Sequence, residues 1–273
     1  MYETYWQLQQ RPFENGVDQK FYYPSETHQG ALLKLRYTVD NRRGAALLSG
    51  PSGSGKSLLV QSLRRQLGEQ CTPFVHIVFP QMPVAELLAY LATELGSPTE
   101  AEPRLSIDQS VQRIAQVLSQ NAARGRHAIV AIDEAHLLDD TRALEAMRLL
   151  LNFQSASQPA LTLLLVGQPP LLPAIDRMPG LEERLAVKCL LRTFSVEETV
   201  SYVSHRLTAA GAKRTIFDSA ALETLHQLTG GVPRRINRLC DLALLVGFAE
   251  ERSSISADQL ETICNELVTV APE

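Results

Sequence analysis

Between residues 45 and 167, short unbroken apolar runs alternate with longer stretches whose apolar residues return at helical spacing. A run that is apolar on successive residues suits a strand buried on both faces. Return every three or four positions suits a helix with one apolar side. The runs "AALL" (from Ala45), "FVHIVF" (from Phe74), "HAIVAID" (from His127) and "LTLLLVG" (from Leu161) are each too short for a typical helix and are predicted as strands. Predicted helices lie between them: "SLLVQSLRRQL" from Ser57, "PVAELLAYLATEL" opened by Pro83, "SIDQSVQRIAQVLSQNAARG" closed near Gly125, and "TRALEAMRLLLNF" from Thr141. The alternation predicts an α/β fold, a parallel sheet with flanking helices.

Around Phe194 the pattern changes to helices only. "SVEE" (Ser195 to Glu198) and "SADQ" (Ser256 to Gln259) are capping-box patterns, in which each side chain satisfies a free N–H at a helix start. "DSAALETLHQLTGG" reads as a helix begun by Asp218 and ended by Gly230 and Gly231. Two domains are expected: an α/β core over 1–192, with an N-terminal strap at 1–40, and a small helical lid over 193–273. The boundary is placed near residue 192, give or take about four residues.

Composition narrows the class only a little. The chain has 273 residues, 45% hydrophobic and 21% charged, ordinary values for a folded water-soluble protein. A net charge of −4 argues against broad coating of nucleic acid, although basic clusters such as "NRRG" and "RRINR" exist. Cys71, Cys189, Cys240 and Cys264 are scattered, without metal-ligand spacing, and are expected as reduced thiols in a cytosolic protein. The start "MYETYWQLQQRPF" lacks the basic and apolar regions of a signal peptide. The apolar run Leu161 to Val166 is far short of the roughly 20 residues that span a bilayer.

The candidate chemistry begins at "LLSGPSGSGKSLLV". Its "GPSGSGKS" matches G-x-x-x-x-G-K-[ST] at Gly50, Gly55, Lys56 and Ser57, between a predicted strand and a predicted helix. Gly50, Gly53 and Gly55 permit backbone conformations that let successive N–H groups converge on an anion. Lys56 would reach the β- and γ-phosphates, and the Ser57 hydroxyl would bind Mg²⁺.

A second constellation follows about 80 residues later, where "HAIVAIDEAH" ends its apolar run in Asp133 and Glu134. Ligands bind at the C-terminal edge of a parallel sheet. Asp133 is expected in the Mg²⁺ shell and Glu134 as the group that orients or deprotonates an attacking water. Read alone, "DEAHLLDD" is an acidic loop; the phosphate loop upstream favours the functional reading. His136 is either structural or a link from the γ-phosphate to neighbouring elements. Gln168, at the tip of "LTLLLVG", can donate to the γ-phosphate or the water, and the two prolines after it also break the strand.

Arg184, on a predicted helix end in "LEERLAVKC", is the first candidate for an arginine given to a neighbouring subunit's site, and Arg177 the second. Solvated surface arginines are the alternative for both. Arg234, after the proline of "GGVPRRINRLCD", is the residue expected to sense the γ-phosphate, against a basic helix face for an acidic partner or nucleic acid.

Taken together these motifs resemble an AAA+ ATPase, and more narrowly the ExeA/GspA family of bacterial secretion ATPases with its relatives in pilus and exopolysaccharide assembly. The family's N-terminal pattern is echoed by Trp6, Leu8, Pro12, Phe13, Phe21, Ser25, His28, Ala31 and Leu32. The loop, "IDEAH", "LVGQP" and "GVPRRINRLCD" follow in the family's order. The resemblance implies ATP and Mg²⁺ as ligands. Gly50, Pro51, Ser52, Gly53, Ser54, Gly55, Lys56, Ser57 and Leu58 would hold the nucleotide (Walker A), and Asp133 and Glu134 would be Walker B. It further implies sensor 1 at Gln168, an arginine finger at Arg184, sensor 2 at Arg234, and an adenine site lined by Pro12 and Phe13. Without the family, that last segment is a hydrophobic strap with Phe13 and Phe21 as core anchors.

The sequence departs from the family in two places. "LEERLAVKC" stands where a more basic pattern is usual, and members commonly continue into a membrane helix and a peptidoglycan-binding domain. This sequence ends at "TVAPE", as a truncated form or a stand-alone member would.

Three functions compete. The first is a Mg²⁺-dependent ATPase, oligomeric through a finger acting in trans, that drives secretion, pilus or exopolysaccharide assembly from the cytoplasmic side of the inner membrane. The second is a DNA-associated ATPase regulator resembling transposition helpers, which the acidic balance disfavours. The third is a nucleotide switch with little turnover, against which Glu134 argues.

Overall fold

The computed structural model describes residues 1–16, 18–96, 105–138, 141–155 and 158–269. Asp139 and Asp140 of "DEAHLLDD" and the closing "VAPE" lie outside them. The described chain divides into two compact units, one of residues 27–50 and 56–191, the other of 1–26, 51–55 and 192–273.

The first unit is built on a five-stranded, wholly parallel sheet in the order β2-β3-β6-β1-β7. Its strands are β1 (Ala45–Ser49), β2 (Phe74–Ile77), β3 (Ala128–Ile132), β6 (Leu161–Gly167) and β7 (Leu185–Leu190). A two-stranded antiparallel ribbon of β4 (Gln154–Ser155) and β5 (Gln158–Pro159) interrupts the series. The three central strands are buried at every residue, as runs apolar on both faces require.

Successive residues feed two separate cores. Val130 and Ile132 of β3 join a cluster with Leu87, Leu91, Ile114 and Met147. These come from α3 (Val84–Leu95), α4 (Ile107–Ala123) and α5 (Thr141–Leu150). Ile129 and Ala131 point the other way, into a cluster with Leu35, Leu59 and Leu63 of α1 (Glu26–Asp40) and α2 (Lys56–Gln66). This two-sided packing is the expected α/β architecture, and both strand C-termini that carry candidate chemistry, β1 and β3, end on one edge of the sheet.

Two elements depart from expectation. Residues 26–40, read as part of a strap, form α1, whose buried positions His28, Ala31, Leu35, Thr38 and Val39 fall on one helical face. "LEERLAVKC" was expected as the helix carrying Arg184. Instead α6 (Leu171–Asp176) and α7 (Pro179–Glu182) are single short turns, and Leu185–Leu190 is the edge strand β7. Its exposure alternates residue by residue until Cys189 is buried, the period of a strand covered on one face.

The second unit is helical: α8 (Val196–Ala209), α9 (Ser219–Thr229), α10 (Pro233–Ala249) and α11 (Ala257–Thr269). Both halves of the capping box at Ser195 and Glu198 are present, and the Asp218 side chain accepts from the Ala221 N–H. At Ser256, the Gln259 side chain accepts from the Ser256 N–H at 3.4 Å. Residues 1–26, grouped with the α/β core at the sequence level, pack here instead. Trp6 is fully buried and donates to the Leu244 carbonyl at 2.8 Å, and Tyr2, Leu8 and Phe13 join the helical core. Aromatic side chains of this size bury more area than a short segment can offer by itself, so they anchor it to the helices.

Candidate functional site

The phosphate loop leaves β1 at Gly50, whose N–H donates to the Gly167 carbonyl of β6 at 3.2 Å. Gly53 (φ +76°) and Gly55 (φ +93°) occupy the left-handed region, which side-chain-bearing residues rarely enter. α2 starts at Lys56, and the first turn of a helix offers backbone N–H groups to an anion. Lys56 is 5% exposed, and its ammonium donates to the Gly50 carbonyl at 3.0 Å.

At the end of β3 the Asp133 N–H donates to the Ile77 carbonyl of β2 at 2.8 Å, which fixes the backbone from which the carboxylate projects. The Ser57 hydroxyl donates to Asp133 Oδ2 at 2.5 Å, and the Glu134 N–H to Asp133 Oδ1 at 2.9 Å. Burial alone would raise the Asp133 pKa. The His76 ring 3.7 Å away, the Ser57 hydroxyl and the Glu134 amide outweigh that and hold it below the ordinary carboxylate value.

Among the described residues no group of three or more His, Cys, Asp or Glu side chains converges as a metal site. The pair formed by Ser57 and Asp133 still fits magnesium, a hard cation usually held by one or two protein oxygens together with phosphate and water.

The sequence of residues 39–175, half of the chain, matches the family described as AAA domain. The chain belongs to the AAA domain family. It is also 34% identical over 252 residues to General secretion pathway protein A of Aeromonas hydrophila, which bears out the narrower resemblance. That match takes in 91% of this chain and 45% of the relative, so the chain spans less than half of its length.

Among solved structures, similar folds include the Aeropyrum pernix ORC2 protein and Drosophila ORC bound to DNA, each with a TM-score of 0.70 at 16% identity. Each match covers 94% of this chain, and 71% and 64% of those chains respectively. The Thermotoga maritima RuvB branch migration motor is similar at a TM-score of 0.56 and 18% identity, over 94% of this chain and 73% of that one. These likenesses bear on fold. They agree with the AAA arrangement of a parallel sheet, flanking helices and a C-terminal helical region.

The other residues expected to serve this AAA domain fall in three places. Gln168 and Glu134 meet at the sheet edge, where the Gln168 side-chain amide donates to Glu134 Oε2 at 3.5 Å. Glu134 itself sits in the left-handed region (φ +50°), unusual for a residue with a side chain.

Arg184 lies at the opposite edge of the sheet. Its backbone carbonyl accepts from Ala45 at the start of β1, and its guanidinium donates to Asn152 at 2.6 Å. It lines an open cleft of about 650 Å³ with Tyr37, Arg42 and Arg43. Arg177, the second finger candidate, is exposed just after α6.

In the helical unit Arg234 adjoins the loop residues grouped there. Its N–H donates to the Gly53 carbonyl at 3.3 Å, and a Cβ added to Gly53 would lie 2.8 Å from that of Arg234. Pro12 and Phe13 are both buried. The Phe13 ring packs edge-on against Phe217, and the Pro12 carbonyl accepts from the buried Arg206 guanidinium at 2.5 Å. Phe13 thus sits in the helical core, and Phe21 packs against that core half-buried. Ser52 and Ser57 are exposed, and Pro51 and Leu58 half-buried.

One residue escaped the sequence reading. His76 is the inner neighbour of Asp133, and nothing in "FVHIVF" marks it beyond a polar residue in an apolar strand. That signal becomes visible once β2 pairs with β3 and sets His76 opposite Ala131, two residues before the carboxylate.

Proposed function

We propose that this AAA domain binds ATP with magnesium at Gly50–Leu58 and hydrolyses it. The observation that supports this most is the 2.5 Å contact between Ser57 and Asp133. It brings the hydroxyl of the phosphate loop and the acidic end of β3, 76 residues apart in sequence, to one point. In this reading loop amides and the Lys56 ammonium bind the β- and γ-phosphates, and Ser57 and Asp133 hold the metal. The chemistry that magnesium supplies is neutralisation of phosphate charge.

Glu134 orients the attacking water and takes its proton. Gln168, beside it, fixes the direction of approach by hydrogen bonding. Arg234, next to Gly53, reports the state of the phosphates to the helical unit. Arg184 completes the site of a second copy in a homo-oligomer.

Similarity to a general secretion pathway protein further supports a role in a cell-envelope process such as secretion or pilus assembly, at the cytoplasmic face of the inner membrane. Among the described residues no helix is long and apolar enough to cross a membrane, so attachment there would run through partners or further sequence.

The test is a pair of variants. Glu134→Gln should bind ATP with magnesium as wild type does and lose turnover by roughly 100-fold or more, whereas Lys56→Ala should lose binding itself. Equal turnover by wild type and Glu134→Gln would remove Glu134 from the reaction. An affinity untouched by Lys56→Ala would remove the loop.

A further inference from the structure

His136 follows the acidic pair on the short 3-10 turn Ala135–Leu137. Its ring is mostly enclosed, with 13% of the side chain exposed, and its Nδ1 faces two groups already placed at the site. The backbone N–H of Gln168 points to Nδ1 at 3.3 Å, and Glu134 Oε2 lies 3.4 Å from the same atom. A backbone amide can only donate, so Nδ1 carries the lone pair and the ring proton sits on Nε2. The side chains of Gln168 and Glu134 close the triangle at 3.5 Å.

The surroundings hold this ring in place. Gly167, the residue before Gln168, presses against it: an added Cβ would lie 3.2 Å from the His136 backbone N and 3.4 Å from Nδ1. Glu134 in turn is held at φ +50°, and its carbonyl accepts from the Leu137 N–H at 2.8 Å, closing the turn that carries His136. A left-handed glutamate, a glycine with no room for a methyl group and a ring accepting a main-chain proton form one unit across the ends of β3 and β6.

We propose that His136 is a positioning residue that holds the general base Glu134 beside the β6 tip at Gln168, its Nδ1 accepting from the Gln168 N–H and its ring standing against the carboxylate. The inference rests on the ATPase reading above and adds a role to it. The ring stands 3.4 Å from Glu134 Oε2 and is tied to the β6 tip by the Gln168 N–H, so carboxylate and tip keep one spacing. During hydrolysis the water oxygen bonds to the γ-phosphorus, its proton passes to Glu134, and ADP leaves with the electron pair of the broken P–O bond. The bond from the Gln168 N–H keeps the ring from turning away, and the ring keeps Glu134 beside Gln168, where the carboxylate meets the water.

The experiment compares wild type, His136→Ala and His136→Asn, with Lys56→Ala as the control. It reads magnesium-ATP affinity, kcat for phosphate release, and thermal unfolding. Asparagine carries an acceptor oxygen close to the place of Nδ1, whereas alanine carries none. His136→Ala should retain affinity and unfolding temperature and lose kcat on the order of tenfold or more, and His136→Asn should regain most of that loss.

Full kcat in His136→Ala would overturn the proposal. So would an equal loss in both variants, or a loss that tracks affinity or unfolding. If wild type releases no phosphate, or Lys56→Ala releases it equally fast, the ATPase reading itself fails and this inference with it.

Discussion

At the scale of single residues, the chain distributes its buried polar groups in two ways. Near the loop, buried Asp133 meets the exposed Ser57 hydroxyl. Elsewhere they close short structural circuits. His127, one residue before β3, is 3% exposed and its Nε2 lies 2.8 Å from the Thr162 hydroxyl, which itself donates to the Arg43 carbonyl at 2.7 Å. Thr162 therefore accepts from the imidazole. Burial first, and the Arg42 charge second, push the His127 pKa down to about 4.

The unfolded chain protonates this histidine near its ordinary value of about 6.5. Below that pH the unfolded state binds the proton that the folded state refuses, so stability is complete above about 6.5 and falls as pH drops toward 4. The loss should approach roughly 3 kcal/mol. Denaturant unfolding of wild type and His127→Gln at pH 7.5 and 4.5 checks this, with the variant expected to lose less on acidification. Equal losses would assign the acid sensitivity to other groups.

At the scale of elements, glycines mark places where backbone passes too close for a side chain. Gly230 (φ +60°) and Gly231 (φ +67°) end α9, and the Gly231 carbonyl accepts from the Phe194 N–H at 2.9 Å. A Cβ on Gly231 would lie 2.2 Å from the Phe194 carbonyl oxygen, a main-chain atom that cannot swing aside. Gly231→Ala should therefore destabilise the helical unit by about 2 kcal/mol or more, whereas Gly230→Ala, with open space around it, should cost about half of that or less. Thermal unfolding of the two variants separates the cases, and equal shifts would mean that α9 relaxes around the intrusion.

Element by element, the reading from sequence succeeded where burial is two-sided and caps are explicit. β1, β3, β6, α3, α4 and α9 lie where apolar runs, Pro83, Gly125, Asp218 and Gly230 signalled them. It failed at β7 because an edge strand covered on one face leaves exposed charges in its pattern, and "LEERL" reads equally well as a helix. It also passed over α1, whose buried face includes His28 and Thr38 and so lacks a clean apolar stripe.

At the scale of the whole molecule, the position of Arg184 decides what kind of assembly the proposed reaction needs. It sits beside Ala45 at the start of β1, while Gly50 and the loop follow the other end. Five residues of extended strand separate those ends by about 16 Å, beyond the reach of one arginine side chain. If Arg184 acts on a nucleotide, it acts on that of a second copy. Mixing Arg184→Ala chains with Lys56→Ala chains should therefore restore some hydrolysis that neither variant shows alone, peaking near equal proportions. The absence of any recovery across the mixing range would leave Arg184 as a surface residue held by Asn152.

By itself the sequence determined the parts whose signal is local: the glycine, lysine and hydroxyl spacing of the phosphate loop, the acidic pair after an apolar run, the caps, and the change from alternating elements to helices near Phe194. Each depends on backbone conformation or on periodic burial within a few residues, and such preferences are written into neighbouring side chains. Only the tertiary structure decided that His76 lies beside Asp133, that His136 stands between Glu134 and Gln168, that Arg184 lies at the far edge of the sheet, and that the first 26 residues pack with the C-terminal helices. Those relations join residues tens to hundreds of positions apart. They follow from strand order, register and the burial of large aromatic side chains, none of which leaves a periodic trace in the chain.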